Sequence, residues 1–107
     1  MRAKFHPEAR QELREAADYF DERRAGVGVR LVHAVRETVA LARSTPDAGS
    51  PWPGVPVELA VRRRRVPGFK HMSIAYTIAD DTLWIVAIVH DRRRPGYWFH
   101  RLDDVPQ

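Results

Sequence analysis

Seven consecutive apolar residues, from Leu83 to Val89, are the feature that most restricts how this chain can fold. The run is far shorter than the roughly 18 apolar residues of a membrane span. It suits a central strand that is covered on both faces. The preceding segment, Met72 to Ile78, alternates apolar with small or polar residues and predicts a neighbouring strand with one buried face. Asp80 and Asp81 predict a tight connection between the two strands.

Two helices are predicted before these strands. Pro7 suits the first position of a helix, where its missing N–H is not needed. The first helical face is formed by Ala9, Leu13, Ala16, Ala17 and Phe20, and the second by Leu31, Ala34, Val35, Thr38, Val39 and Ala42, ending near Arg43. Gly26 and Gly28 interrupt the pattern, so the two helices should form an antiparallel hairpin.

The remaining segments complete an α+β fold. Arg2 to Phe5 is predicted as a short first strand, Ser44 to Pro56 as a proline-rich loop, and Glu58 to Val66 as extended chain. The order β-α-α-β-β-β predicts a helical hairpin packed on one face of a small, mainly antiparallel sheet. The 107 residues suit a single domain, 1–107. The tail, 103–107, is too short and polar to be expected in an ordered position.

The charge distribution points to an anionic partner. The net charge is only +4, but 16 of the 18 cations are arginine, which pairs well with carboxylate and phosphate. Residues 1–45 contain 9 cations and 7 acids, whereas residues 62–101 contain 9 cations and only 3 acids. The positive field is therefore expected in the C-terminal half of the chain.

Four consecutive arginines, Arg62, Arg63, Arg64 and Arg65, form the first candidate site. On a strand, Arg63 and Arg65 share one face, and Arg62 and Arg64 share the other. The run is interpreted either as a docking surface for phosphates or carboxylates or as a charged edge strand that prevents aggregation.

The second candidate site is the segment from His90 to Arg101. An RNA-cleaving centre needs a proton acceptor, a group that stabilises the charged phosphorane, and an acid for the leaving group. His90, Arg92, Arg93 and Tyr97 are of the right types for these roles. In the alternative interpretation His90 makes a structural hydrogen bond, and Tyr97 and Trp98 fold back over the core.

Cofactor and metal chemistry is not expected. The chain has no cysteine, which excludes disulfides, thiolate metal sites and cysteine nucleophiles. Its five histidines lack close metal-ligand spacing. The N-terminal segment has no apolar stretch like that of a signal peptide, so a cytoplasmic protein is expected.

The chain resembles the RelE/ParE superfamily of bacterial type II toxins over nearly its whole length. The resemblance is carried by 6–9 (HPEA) at the first helix, by 44–49 (STPDAG) after the second, and by 65–69 (RVPGF), 74–76 (IAY), 88–90 (IVH), 93–98 (RRPGYW) and Arg101 in the strand region. The ordered set is closest to the ParE-like branch.

The resemblance implies a toxin that is neutralised by a cognate antitoxin. The antitoxin would wrap the toxin with an acidic C-terminal segment, and promoter DNA would be bound only through the antitoxin. ParE-like members poison DNA gyrase without being catalysts, whereas RelE-like members cut mRNA in the ribosomal A site without metal. The spacing of Tyr97 does not match the RelE arrangement, which favours gyrase as the target over the ribosome.

Antitoxin or target contacts are expected from Arg62, Arg63, Arg64, Arg65, Arg94, Trp98 and Arg101, and catalytic roles for His90, Arg92, Arg93 and Tyr97 only if the protein is a ribonuclease. A plain nucleic-acid-binding module and a family member that has lost toxicity are the remaining alternatives.

Overall fold

A computed structural model describes residues 1–106 of the chain. The strands are β1 (Arg2–Phe5), β2 (Ser50–Pro51), β3 (Arg62–Val66), β4 (Phe69–Ala79) and β5 (Thr82–His90), and the helices are α1 (Pro7–Arg23) and α2 (Val27–Ser44). Short 3-10 helices span Pro46–Ala48, Val57–Leu59 and Phe99–Asp104. No helix within residues 1–106 is long and apolar enough to cross a membrane.

The five strands form one mixed sheet in the order β1-β5-β4-β3-β2. β1 runs parallel to β5, and the other neighbours are antiparallel. This confirms the predicted α+β fold, with the two-residue strand β2 as an addition that the proline-rich sequence does not indicate. The turn at Asp80 and Asp81 is tight as predicted, with both residues at positive φ of 53° and 54°, which a two-residue hairpin turn requires.

The helical hairpin covers one face of the sheet. Pro7 begins α1, and the backbone N–H of Glu8 donates to His6 Nδ1 at 3.1 Å, so His6 caps the helix. A Cβ added to Gly28 would collide with the backbone carbonyl of Ala17, because the two helices touch there. The core on this side joins Ala9, Leu31, Val35, Val39 and Ala42 of the helices to Val66, Met72, Ile74, Tyr76, Leu83, Ile85 and Ile88 of the sheet.

The other face of the sheet is also covered, which the sequence analysis predicted for β5 but not for β4. Residues 72–77 of β4 are all buried, so the expectation of one buried face was wrong. A second apolar cluster joins Ala75, Val86, Ala87 and Val89 of the sheet to Val61, Trp98 and Val105. The C-terminal segment therefore acts as a third layer.

Two further expectations differ from the structure. Glu58 to Val66 is not extended throughout, since Val57–Leu59 forms a 3-10 turn and Ala60 follows it at φ 51°, before β3 starts at Arg62. The tail is ordered up to the end of the described residues: Asp104 Oδ2 lies 2.7 Å from His6 Nε2, and Val105 is buried. Gln107, the last residue of that predicted disordered tail, lies outside the described residues.

Candidate functional site

The four arginines of β3 alternate between the two faces of the sheet, but two of them are used inside the molecule. Arg62 Nη1 donates to the carbonyl of Gly49 at 2.6 Å, and Arg64 Nη2 donates to the carbonyl of Thr45 at 3.1 Å. These bonds fasten the loop after α2 onto the sheet. Arg62 and Arg64 therefore already have partners on the helix side of the molecule.

Arg63 and Arg65 lie on the opposite face. The Arg63 guanidinium lies 5.6 Å from the centre of the Trp52 ring. Arg65 donates to the carbonyl of Lys70 at 3.2 Å and lies 3.8 Å from Asp91 Oδ2, yet its side chain remains 57% exposed. Of the predicted docking arginines on β3, Arg65 is thus the most accessible to a partner.

A buried ion pair joins α1 to the C-terminal segment. Arg101 donates from Nη1 and Nη2 to the two carboxylate oxygens of Glu12, at 2.8 and 3.0 Å. Only 5% of the Arg101 side chain and 12% of the Glu12 side chain are exposed. The Tyr97 hydroxyl donates to Glu12 Oε2 at 2.6 Å, so two side chains of the C-terminal segment converge on one carboxylate.

The side chains of Glu12 and Arg101 make hydrogen bonds that a neighbouring strand would otherwise make with β5. β1 pairs with β5 only as far as Ile85, and beyond that point the chain turns into α1. Beyond Ile85, the backbone groups on this edge of β5 therefore have no neighbouring strand. Side chains supply their hydrogen-bond partners: the N–H of Ile88 donates to Glu12 at 3.1 Å, and Arg101 donates to the carbonyl of Val86 at 3.1 Å. Buried backbone groups require such partners. The β4–β5 register shifts at the same place, next to Val86.

Glu12 was not among the candidate residues predicted from the sequence. The spacing along α1 indicates that Glu12 faces the core, because Glu12 lies three residues after buried Ala9 and four before half-buried Ala16. An acid at such a position needs a buried cation. The partner, Arg101, lies 89 positions away in the sequence.

Two of the predicted contact residues are buried. Trp98 has no exposed surface and packs edge-on against Trp52, with ring centres 5.3 Å apart. Arg101 is 4% exposed. Direct contact of Trp98 or Arg101 with a partner therefore does not fit their burial. Their positions correspond to the alternative interpretation, in which this segment folds back over the core.

Tyr97 is held in its neutral form. Burial raises the pKa of its hydroxyl well above the usual value, and the hydrogen bond and negative charge of Glu12 raise it further, against the smaller effects of Arg93 and Arg101. The Arg93 guanidinium stacks over the Tyr97 ring, 4.0 Å from its centre. At neutral pH this tyrosine does not act as a base, and its hydroxyl hydrogen is already used in the hydrogen bond to Glu12.

His90 and Arg92 lie together at the end of β5. The backbone N–H of Arg92 donates to His90 Nδ1 at 3.1 Å, so this nitrogen is an acceptor and the proton of neutral His90 is on Nε2. Arg92, Arg93 and Arg94 are exposed. In the structure, His90 therefore contacts Arg92, and Arg93 contacts Tyr97. The Tyr97 hydroxyl is hydrogen-bonded to Glu12.

A groove of about 630 Å³, which we call the basic groove, lies beside His90 and Arg92 between the end of α1, the start of α2 and the β3–β4 turn. Apolar side chains lining it include Tyr19, Phe20, Phe69 and Met72, and basic ones are Arg23, Arg30, Lys70, His71, His90 and Arg92. A smaller hollow of about 330 Å³ continues from it along α1 to Glu12 and Glu15. Of the basic residues that line this groove, only His90 and Arg92 were predicted as site residues from the sequence, because the others are far from them along the chain.

Within residues 1–106, no group of three or more His, Asp or Glu side chains is arranged to hold a metal ion.

No curated protein sequence matches the chain. A family model described as the ParE toxin of the type II toxin-antitoxin system, parDE, matches residues 3–95. This match covers most of the chain and agrees with the resemblance found in the sequence. The protein therefore belongs to the ParE toxin family of type II toxin–antitoxin systems.

Proposed function

We propose that this toxin acts by binding DNA gyrase and not by cleaving RNA. The observation that supports a binding mode is the state of Tyr97, the candidate acid of a ribonuclease centre. Its hydroxyl donates to Glu12 at 2.6 Å, and burial raises its pKa. A general acid must be able to deliver its proton to the substrate, and this one is directed into the protein.

Exposed cations supply a surface for the antitoxin and for the target. Arg65, Arg92, Arg93 and Arg94 are all exposed around the end of β5. An acidic segment that folds as it binds would pair with these arginines and lose affinity as salt is raised. We propose that the acidic C-terminal segment of the cognate antitoxin covers this surface and thereby keeps the toxin from gyrase.

Purified toxin tests the gyrase proposal directly. The toxin should inhibit DNA supercoiling by gyrase and stabilise complexes between gyrase and cleaved DNA. Arg92→Glu with Arg94→Glu should weaken inhibition, whereas Arg14→Glu, an exposed arginine of α1 outside this surface, should not. Gyrase that is unaffected by an excess of correctly folded toxin would contradict the proposal.

Ribosome-dependent mRNA cleavage is the second candidate, and the observation that favours it is the position of His90. His90 lines the basic groove together with Arg92, so an imidazole and a cation share one concave surface. In a translating extract this candidate predicts mRNA cuts in phase with codons, which His90→Ala abolishes. Intact mRNA in the presence of toxin that still inhibits gyrase would reject it.

A further inference from the structure

The basic groove concentrates positive charge without compensation. Four of its side chains are cationic and come from four different parts of the chain: Arg23, Arg30, Lys70 and Arg92. Within residues 1–106, none of these four forms an ion pair with a carboxylate. No acidic residue is among those that line the groove. Convergence of like charges costs folding free energy, and such local conflicts are typical of functional sites.

Two histidines also line the groove. The rings of His71 and His90 lie 5.9 Å apart at one side of the groove. An acid beside one of these histidines is Asp91, whose Oδ2 lies 3.6 Å from His71 Nδ1 and 3.8 Å from Arg65 Nη1. Of these two partners, His71 lines the groove and Arg65 lies outside it, and Asp91 forms no ion pair with Arg23, Arg30, Lys70 or Arg92.

The groove also has an aromatic lining. Phe20 packs edge-on against Tyr19 and Phe69, with ring centres 5.5 and 5.3 Å apart. Tyr19 is 49% exposed, and the Arg23 guanidinium lies 3.9 Å from the centre of its ring. Stacking on Tyr19 fixes Arg23 in place without using its hydrogen-bond donors. The groove thus offers an aromatic surface and a positioned guanidinium side by side.

We propose that the basic groove binds a nucleoside phosphate, with the phosphate on Arg23, Arg30 and Lys70 and the base against the aromatic lining. Arginine forks match phosphate oxygens, and bases stack on aromatic rings with little sequence preference. The volume, about 630 Å³, lies in the range of small-ligand pockets. An acidic peptide that binds only through its carboxylates would use the same cations but not the aromatic rings beside them.

Calorimetric titration of the full-length protein at low salt tests the proposal. The ligands are AMP, adenosine, inorganic phosphate, and short single strands of DNA and RNA. AMP should bind about tenfold more tightly than phosphate or adenosine, because it uses both parts of the groove. Tighter binding of a strand than of AMP would identify a nucleic acid as the source of the nucleotide, and equal binding would identify the free nucleotide.

Paired variants separate the two halves of the site. Arg23→Gln with Arg30→Gln should lower AMP affinity at least about tenfold. Tyr19→Ala should lower AMP affinity but leave phosphate affinity unchanged. The control, Arg14→Gln with Arg36→Gln, removes the same charge at exposed positions outside the groove. Circular dichroism and thermal melting confirm that each variant is folded.

Three results would overturn the proposal. AMP that binds no better than phosphate would remove the role of the aromatic lining. Equal losses of AMP affinity in the groove variant and in the control variant would show that AMP is held only by general charge attraction. Binding of a glutamate-rich amphipathic peptide that AMP does not displace would assign the groove to a protein partner. None of these results bears on gyrase inhibition, which is measured separately.

Discussion

Replacing Glu12 by glutamine should destabilise the protein more than any other single-atom change on α1. The carboxylate accepts four hydrogen bonds: two from Arg101 at 2.8 and 3.0 Å, one from Tyr97 at 2.6 Å and one from the N–H of Ile88 at 3.1 Å. Glutamine keeps one acceptor oxygen and places an NH₂ donor against other donors. It also leaves the buried Arg101 charge with only the half-exposed carboxylate of Glu8, whose Oε2 lies 3.5 Å from Arg101 Nε.

Breaking a buried ion pair from one side costs about 3–5 kcal/mol. We expect about 3 kcal/mol for Glu12→Gln, since glutamine retains part of the hydrogen bonding. For a domain of about 100 residues this corresponds to a fall in Tm of roughly 12–24 °C. The matched control is Glu15→Gln on the exposed side of the same helix, which should change stability by less than about 0.5 kcal/mol.

Urea unfolding followed by circular dichroism measures both variants, and a double-mutant cycle with Arg101→Gln tests the pairing itself. Removing both charges should cost at least about 1 kcal/mol less than the sum of the two single changes. Similar stabilities of Glu12→Gln and Glu15→Gln would refute the reasoning. So would strict additivity in the cycle, since it would mean that the two side chains do not interact.

Three further predictions concern the same framework. The raised pKa of Tyr97 favours the folded state at pH values below the ordinary tyrosine pKa of 10.0, and this stabilisation declines as the pH rises above that value. Tyr97→Phe should remove this alkaline loss of stability. The melting temperatures of wild type and variant should therefore converge at high pH. Gly28→Ala should cost about 1–3 kcal/mol by urea unfolding, because the new Cβ meets the carbonyl of Ala17. His6→Ala should cost about 1–2 kcal/mol, since it removes both the cap of α1 and the contact with Asp104, whereas Asp104→Ala should cost less, because it spares the cap.

The elements of the fold are largely predictable from local patterns. The apolar run Leu83–Val89 predicts a strand covered on both faces, and it is the central part of β5. Pro7 marks the first residue of α1, and the apolar spacing of α2 identifies its buried face. These signals are local because periodicity reports which side of an element is buried. It does not report which element does the burying.

The candidate site is less predictable for that reason. Arg65 and Arg94 are exposed, but Arg62 and Arg64 hold a loop, and Trp98 is in the core. An arginine in a run of arginines has the same local sequence pattern whether it meets solvent or a carbonyl. The choice depends on which acceptors the rest of the fold brings within reach.

The sequence alone determined the α+β class, the helical hairpin, the central strand and the family to which the chain belongs. Only the tertiary structure decided that Glu12 lies opposite Arg101 and Tyr97, and that cations from three distant regions of the chain line one groove. The physical reason is the range of the interactions. Hydrophobic periodicity is a pattern of a few neighbouring residues. Whether a charge is paired depends instead on residues that are distant in sequence and adjacent in space.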